Sequence, residues 1–168
     1  MIRNLVRLLL LGIIVTACTD ASAPTTARAA VEVEASTLDV TLGTTQGTGG
    51  VIEWMRVTVP VAIHNTGTAV LHHWSCLVRI ETRAGDGWEP VWDPICLLIA
   101  TPPERILPAE TLRFSMEVWA ALDGPAGPDW KRDEVEGTYR LIAHLGTPAT
   151  RGSMLTVESN AFTLAFAE

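Results

Sequence analysis

A chain of 168 residues has room for one domain and too little for two comfortable ones. Hydrophobic residues make up 48% of it and charged residues 18%, which excludes a disordered polyelectrolyte. The net charge of −7 becomes −9 if the two arginines of the first seven residues are removed, and so acidic a surface excludes nucleic acid as a partner.

Met1–Arg7, with Arg3 and Arg7, is a positive n-region, and Leu8–Val15 is a short apolar run. Crossing a bilayer takes roughly 20 apolar residues, so this run reads as an export signal and not as a span. Val15-Thr16-Ala17-Cys18 resembles the lipobox of bacterial lipoproteins. That resemblance implies a signal peptide over residues 1–17, diacylglycerol on the Cys18 thiol, and a mature chain held to the membrane by lipid. In Gram-negative members an Asp directly after the cysteine tends to retain the protein at the inner membrane. Thr19 stands there, which favours the outer membrane, with the domain facing the periplasm or the cell surface. The alternative is an ordinary secretory signal with a chance cysteine at its end. With Cys18 assigned to lipid, Cys76 and Cys96 remain as a pair suited to a disulfide in an oxidising compartment. Such a bridge would stabilise the fold by about 3 kcal/mol; two buried free thiols are the competing reading.

Residues 18–35 are rich in Ala, Thr, Ser and Pro and read as a flexible tether, leaving 36–168 as the domain. From Ser36 the dominant period is two, the strand signal. Thr37–Leu42 reads as an edge strand ended by a Gly/Thr-rich loop, Gly43–Gly50. Met55–His64 puts Val57, Val59, Val61 and Ile63 on one face, and Pro60 asks for an edge or a bulge there. Asn65-Thr66-Gly67 is a turn; the next run places Val70, Trp74, Cys76, Val78 and Ile80 together. Gly85-Asp86-Gly87 makes a hairpin into Trp88–Trp92. Leu112, Phe114, Met116 and Val118 form another one-faced strand, and Ala120–Val135 is a connection too punctuated for a helix. Tyr139, Leu141, Ala143 and Leu145 alternate again, and Phe162 and Leu164 close the chain. About seven short antiparallel strands with no amphipathic helix predict an all-β sandwich.

Glu136-Gly137-Thr138-Tyr139-Arg140-Leu141 resembles the tyrosine corner of immunoglobulin-like domains. The valine-rich strand ending in Asn-Thr-Gly and the terminal Ser159-Asn160-Ala161-Phe162 are similar to bacterial members of that group. The resemblance implies an Ig-like β-sandwich in which Gly137 and Tyr139 pin a corner between sheets. It departs from antibody domains in its cysteines, since Leu141 stands where the second bridging cysteine would be.

No chemistry emerges from the remaining residues. His64, His72, His73 and His144 lack a metal-site spacing; only His64 and His73 can share a face, and no third ligand is evident. Asp129, Asp133, Glu134 and Glu136 cluster, but the interleaved Lys131 and Arg132 argue against calcium. Gly152-Ser153-Met154 lacks the pattern of a nucleophile elbow. No catalytic residue, metal or cofactor is therefore expected. Among six tryptophans, Trp74 falls on an apolar face, whereas Trp88, Trp92 and Trp130 lie near loops and are the candidates for a partner-binding patch, with packing under loops as the alternative. The expectation is a lipid-anchored, non-enzymatic binding or structural module of the cell envelope, its partner a protein or a glycan. The alternative is a protease inhibitor of Ig-like fold presenting the 120–133 loop, because Phe114–Trp119 and Gly137–Tyr139 loosely resemble small inhibitors of that kind.

Overall fold

The computed structural model describes residues 25–47, 49–94, 102–122, 130–147 and 154–167. The leader, Cys18 and Cys96 lie outside them. Eleven strands form: β1 (Ala29–Val33), β2 (Thr37–Gly47), β3 (Gly50–Asn65), β4 (Leu71–His73), β5 (Val78–Ala84), β6 (Gly87–Trp92), β7 (Glu104–Ile106), β8 (Thr111–Ala121), β9 (Gly137–Gly146), β10 (Met154–Glu158) and β11 (Phe162–Phe166). One 3-10 turn, Arg132–Glu134, leads into β9. The protein is all-β, as the period of two implies.

The strands form one mixed sheet in two hydrogen-bonded sections that share β2. In the first, β3 carries β1 and the distal half of β2 along one edge and β8 along the other. In the second, β9 is flanked by β10 and β11 on one side and by β5 and β4 on the other, with β6 beside β5 and β7 beside β4. The proximal half of β2, Thr37–Val40, runs parallel to β11, and Thr41–Gly47 then pairs antiparallel with β3. Inward residues of both sections make one apolar cluster, from Val57, Val59, Val61 and Val118 to Val78, Ile80, Leu141 and Leu145. Burial of this alternating set is what fixes the register, since a slip of one residue would turn every side chain outward.

Several expectations are corrected. The ordered domain begins before Ser36, because Val31 and Val33 alternate with Glu32 and Glu34 and bury themselves as β1 against β3. Eleven strands replace about seven. Gly43–Gly47 is not loop but ladder, paired with Gly50–Trp54. The glycines are there because bulky cross-strand neighbours cover them: a Cβ on Gly43 would sit 2.1 Å from the Trp54 ring. The run from Val70 to Ile80 is broken by a turn at Trp74–Leu77, so β4 buries Leu71 and His73, and Trp74 is only half-buried.

The flagged turns have clear work. Asn65 is buried and donates through Nδ2 to the carbonyls of Ala69 (2.8 Å) and Ile106 (2.9 Å), while its Oδ1 accepts from the Gly67 N–H. Asn160 holds β1 by accepting from the Val33 N–H (2.8 Å) and donating to the Val33 carbonyl (3.1 Å). Gly85 takes φ +57°, the positive value a primed hairpin requires at its first central residue. Ala109 also has positive φ (63°), in the turn where the Glu110 N–H donates to the Leu107 carbonyl. An L-residue with a Cβ is strained there. Ala109→Gly is expected to raise stability by about 0.5 kcal/mol, the relief of strain being partly offset by the freer unfolded chain. Thermal denaturation of the two proteins side by side checks it; a lower Tm for the variant would mean the alanine is unstrained.

Candidate functional site

The alternation that buries Met55, Val57 and Val59 on β3 sends Trp54, Arg56 and Thr58 to the outer face. On β8, burial of Met116 and Val118 sends Glu117 and Trp119 to the same face. The β3–β8 register sets Arg56 opposite Trp119 and Thr58 opposite Glu117. Trp54 and Trp119 meet diagonally, with ring centroids 4.8 Å apart and planes tilted by 30°. Trp119 remains 52% exposed, unusual for a side chain of that size. The Arg56 guanidinium carbon stands 5.5 Å over the Trp119 ring while its Nε bonds Glu117. Thr58 Oγ1 donates to the same carboxylate at 2.7 Å. Those two donors, Arg56 first, hold the Glu117 carboxyl below the usual carboxylate range, so it stays ionised.

Beside this pair lies an open groove of about 410 Å³, lined by Thr37, Leu38, Asp39, Thr41, Trp54, Arg56 and Thr58. It follows from the topology. β1 pairs with Val61–Asn65 of β3 and β2 with Gly50–Arg56, so no described strand pairs with Val57–Pro60 on that edge. The chain between β1 and β2 instead crosses to β11, and the cleft opens where it leaves. Pro60 fits this place. Its carbonyl accepts from the Glu34 N–H at 3.0 Å, so its backbone faces the gap, where a missing N–H costs no ladder bond.

No protein-family model matches the chain, and no curated protein matches it. Among solved structures, the chain is similar to Northeast Structural Genomics Consortium target SoR45, with 14% identity, 83% of this chain and 86% of that one covered, and a TM-score of 0.42. It is also similar to part of a β-glucosidase involved in saponin metabolism from intestinal bacteria, with 17% identity, 84% of this chain covered and a TM-score of 0.31. The chain spans 16% of that enzyme's length. Both scores are too low to assign a shared fold.

The three tryptophans expected to form a patch are dispersed. Trp92 and Trp130 are core residues, 9% and 2% exposed; Trp92 Nε1 donates to the Trp119 carbonyl at 3.2 Å, and Trp130 packs edge-on to Tyr139. Trp88 is half-buried on the outer face of the other section, between the guanidinium groups of Arg140 (4.7 Å) and Arg83 (5.5 Å). Arg140 is itself fixed by Glu81 and Glu158. Trp88 is thus a structural cation–π partner, and the exposed tryptophan is Trp119, which stacks on the half-buried Trp54.

Tyr139 is fully buried, and its hydroxyl donates to the carbonyls of Val135 (2.7 Å) and Glu134 (3.1 Å). Gly137 lies against its ring. His64 and His73 are not neighbours. His64 is exposed and bonds Thr111 Oγ1, whereas His73 is buried in the other section and stacks on Phe114. Among the described residues no group of three metal-ligating side chains forms. Cys76 is half-buried in the β4–β5 turn. Of the 120–133 loop, residues 123–129 lie outside the described ones; its ends are set by Leu122 and Trp130, both buried, and by an Arg132–Glu53 ion pair.

Proposed function

We propose that the protein is a lipid-anchored binding module of the bacterial cell envelope, exported by its leader, tethered through Cys18, and not an enzyme. Several features support an Ig-like sandwich as its fold. The first strands pass from one section to the other, β2 runs parallel to the terminal β11, and Tyr139 bonds back to the carbonyl four residues upstream. The observation that carries the binding role is the exposed Trp119, stacked on the half-buried Trp54 beside the groove. Trp119 gains only modestly from Trp54 and Arg56 while half of it stays in water, and exposed tryptophans with arginine beside them are enriched where proteins meet partners. A Cys76–Cys96 bridge is part of the proposal, since both thiols would be exported.

Intact mass of the chain extracted from its native membrane is expected to show a gain for lipid on Cys18 and, on reduction, about 2 Da for one disulfide. Cys18→Ser is expected to abolish the lipid mass gain and to leave residues 1–17 attached. A full-length, unlipidated chain with free thiols would overturn the anchor, the compartment and the bridge together.

A further inference from the structure

We infer that the groove between the proximal half of β2 and β3, with Trp54 in its wall, is a saccharide subsite that takes an uncharged glycan. The inference rests on the binding-module reading and gives it a ligand class. A pyranose ring has one face of C–H groups, which an indole face attracts through its negative quadrupole, and a rim of hydroxyls that both donate and accept. The lining offers both kinds of partner. Trp54 supplies to the wall the part of its indole not covered by Gly43 and Trp119, and Trp119, 52% exposed, continues the aromatic surface out of the groove. Asp39 is exposed and accepts only; Arg56, bonded to Glu117 through Nε, also lines the groove and can only donate. Thr58 spends its proton on Glu117, so its oxygen presents lone pairs.

Three observations select a neutral sugar over other occupants. Arg56 is already paired with Glu117, so Asp39 leaves the groove acidic, and the whole chain carries −7; both repel polyanions. An extended peptide would have to add to the backbone edge at Val57–Pro60, and Pro60 has no N–H to give it. The volume, at the low end of the roughly 300–1,000 Å³ of small-ligand clefts, suits a short run of sugar rings.

The test uses the lipidated protein in micelles of a sugar-free detergent. It is titrated calorimetrically, with tryptophan fluorescence in parallel, against neutral hexose and N-acetylhexosamine oligosaccharides and against dextran sulfate. Saturable binding of at least one neutral oligosaccharide is expected, with none of dextran sulfate. Affinity should weaken by about tenfold or more in Trp54→Ala and in Asp39→Ala, and remain unchanged in Trp88→Ala on the opposite face. Asp39 is exposed, so its loss keeps the fold intact even if Trp54→Ala loosens the β2–β3 hairpin. Absence of binding by every neutral sugar, or binding that survives both groove variants, overturns the saccharide subsite. Photo-crosslinking in intact envelopes from a probe at position 119 separates the two readings. A protein crosslinked there with no sugar bound sinks the glycan and keeps the binding module, whereas no crosslink and no sugar sinks both.

Discussion

Tyr139→Phe is expected to lower the unfolding free energy by about 2 kcal/mol, and Tyr139→Ala by about 4 kcal/mol. The residue is fully buried, and its hydroxyl reaches two backbone carbonyls of the segment that enters β9. Phenylalanine keeps the ring, which packs on Phe162 at 6.1 Å and receives Trp130 edge-on at 5.9 Å. It leaves the buried Val135 carbonyl without its 2.7 Å donor, and an unsatisfied buried acceptor costs about 1–3 kcal/mol. Alanine adds a cavity between two aromatic rings. Burial pushes the phenol above its ordinary pKa, so the donating proton is retained well into alkaline conditions. Gly137→Ala serves as the contrast. A Cβ there meets the Tyr139 ring at 3.5 Å, ordinary van der Waals contact, so the cost is expected below about 1 kcal/mol. Urea unfolding followed by tryptophan fluorescence reads all three. A phenylalanine variant as stable as the parent would remove the hydroxyl from any part in the corner.

The all-β class was legible because it depends on local alternation, and Met55–Val59 and Leu112–Val118 alternate as cleanly in the structure as in the sequence, whereas Ala62, on the polar parity, is buried with Val61 and Ile63. The strand count was not, because breaks such as the turn at Trp74–Leu77 are decided by what β9 can pair with on both sides of it. β1 was missed for a related reason. Its Val31 and Val33 alternate with Glu32 and Glu34 over only four residues after an Ala/Thr-rich stretch, and they become a strand when β3 offers an edge. The candidate site is the more instructive miss. Trp88, Trp92 and Trp130 were chosen for nearness to loops, yet a loop flank says nothing about which way a side chain points. The usable signal was parity. Trp54 shares its face with Arg56 and Thr58, and Trp119 shares its face with Glu117, so both fall on the polar side of strands whose apolar side was already identified. A large apolar residue on a polar parity is the anomaly that marks a surface. The groove itself was out of reach, since it depends on β2 dividing its pairing between β11 and β3.

His73→Leu is expected to flatten the acid side of the stability profile. His73 is buried on β4 and stacked on Phe114 at 4.7 Å, and neither ring nitrogen has a hydrogen-bond partner among the described residues. Burial pushes its pKa below the ordinary imidazole value of about 6.5, an effect only partly opposed by Glu104, its cross-strand neighbour on β7. The folded protein therefore holds the ring neutral where the unfolded chain has begun to protonate it. The unfolded state binds more protons, so stability rises with pH through the window between the lowered folded pKa and about 6.5, and is fully present above it. One proton contributes at most about 1.4 kcal/mol per pH unit to that slope. Leucine has a similar volume and nothing to protonate, and it also removes two unsatisfied polar atoms, so the variant is expected to match or exceed the parent at pH 7.5. The difference between the two proteins should widen steadily as pH falls below about 6.5, because every other titrating group is common to both. Parallel profiles would mean that His73 takes up its proton as readily folded as unfolded, and that the β4 pocket admits enough water to solvate the charge.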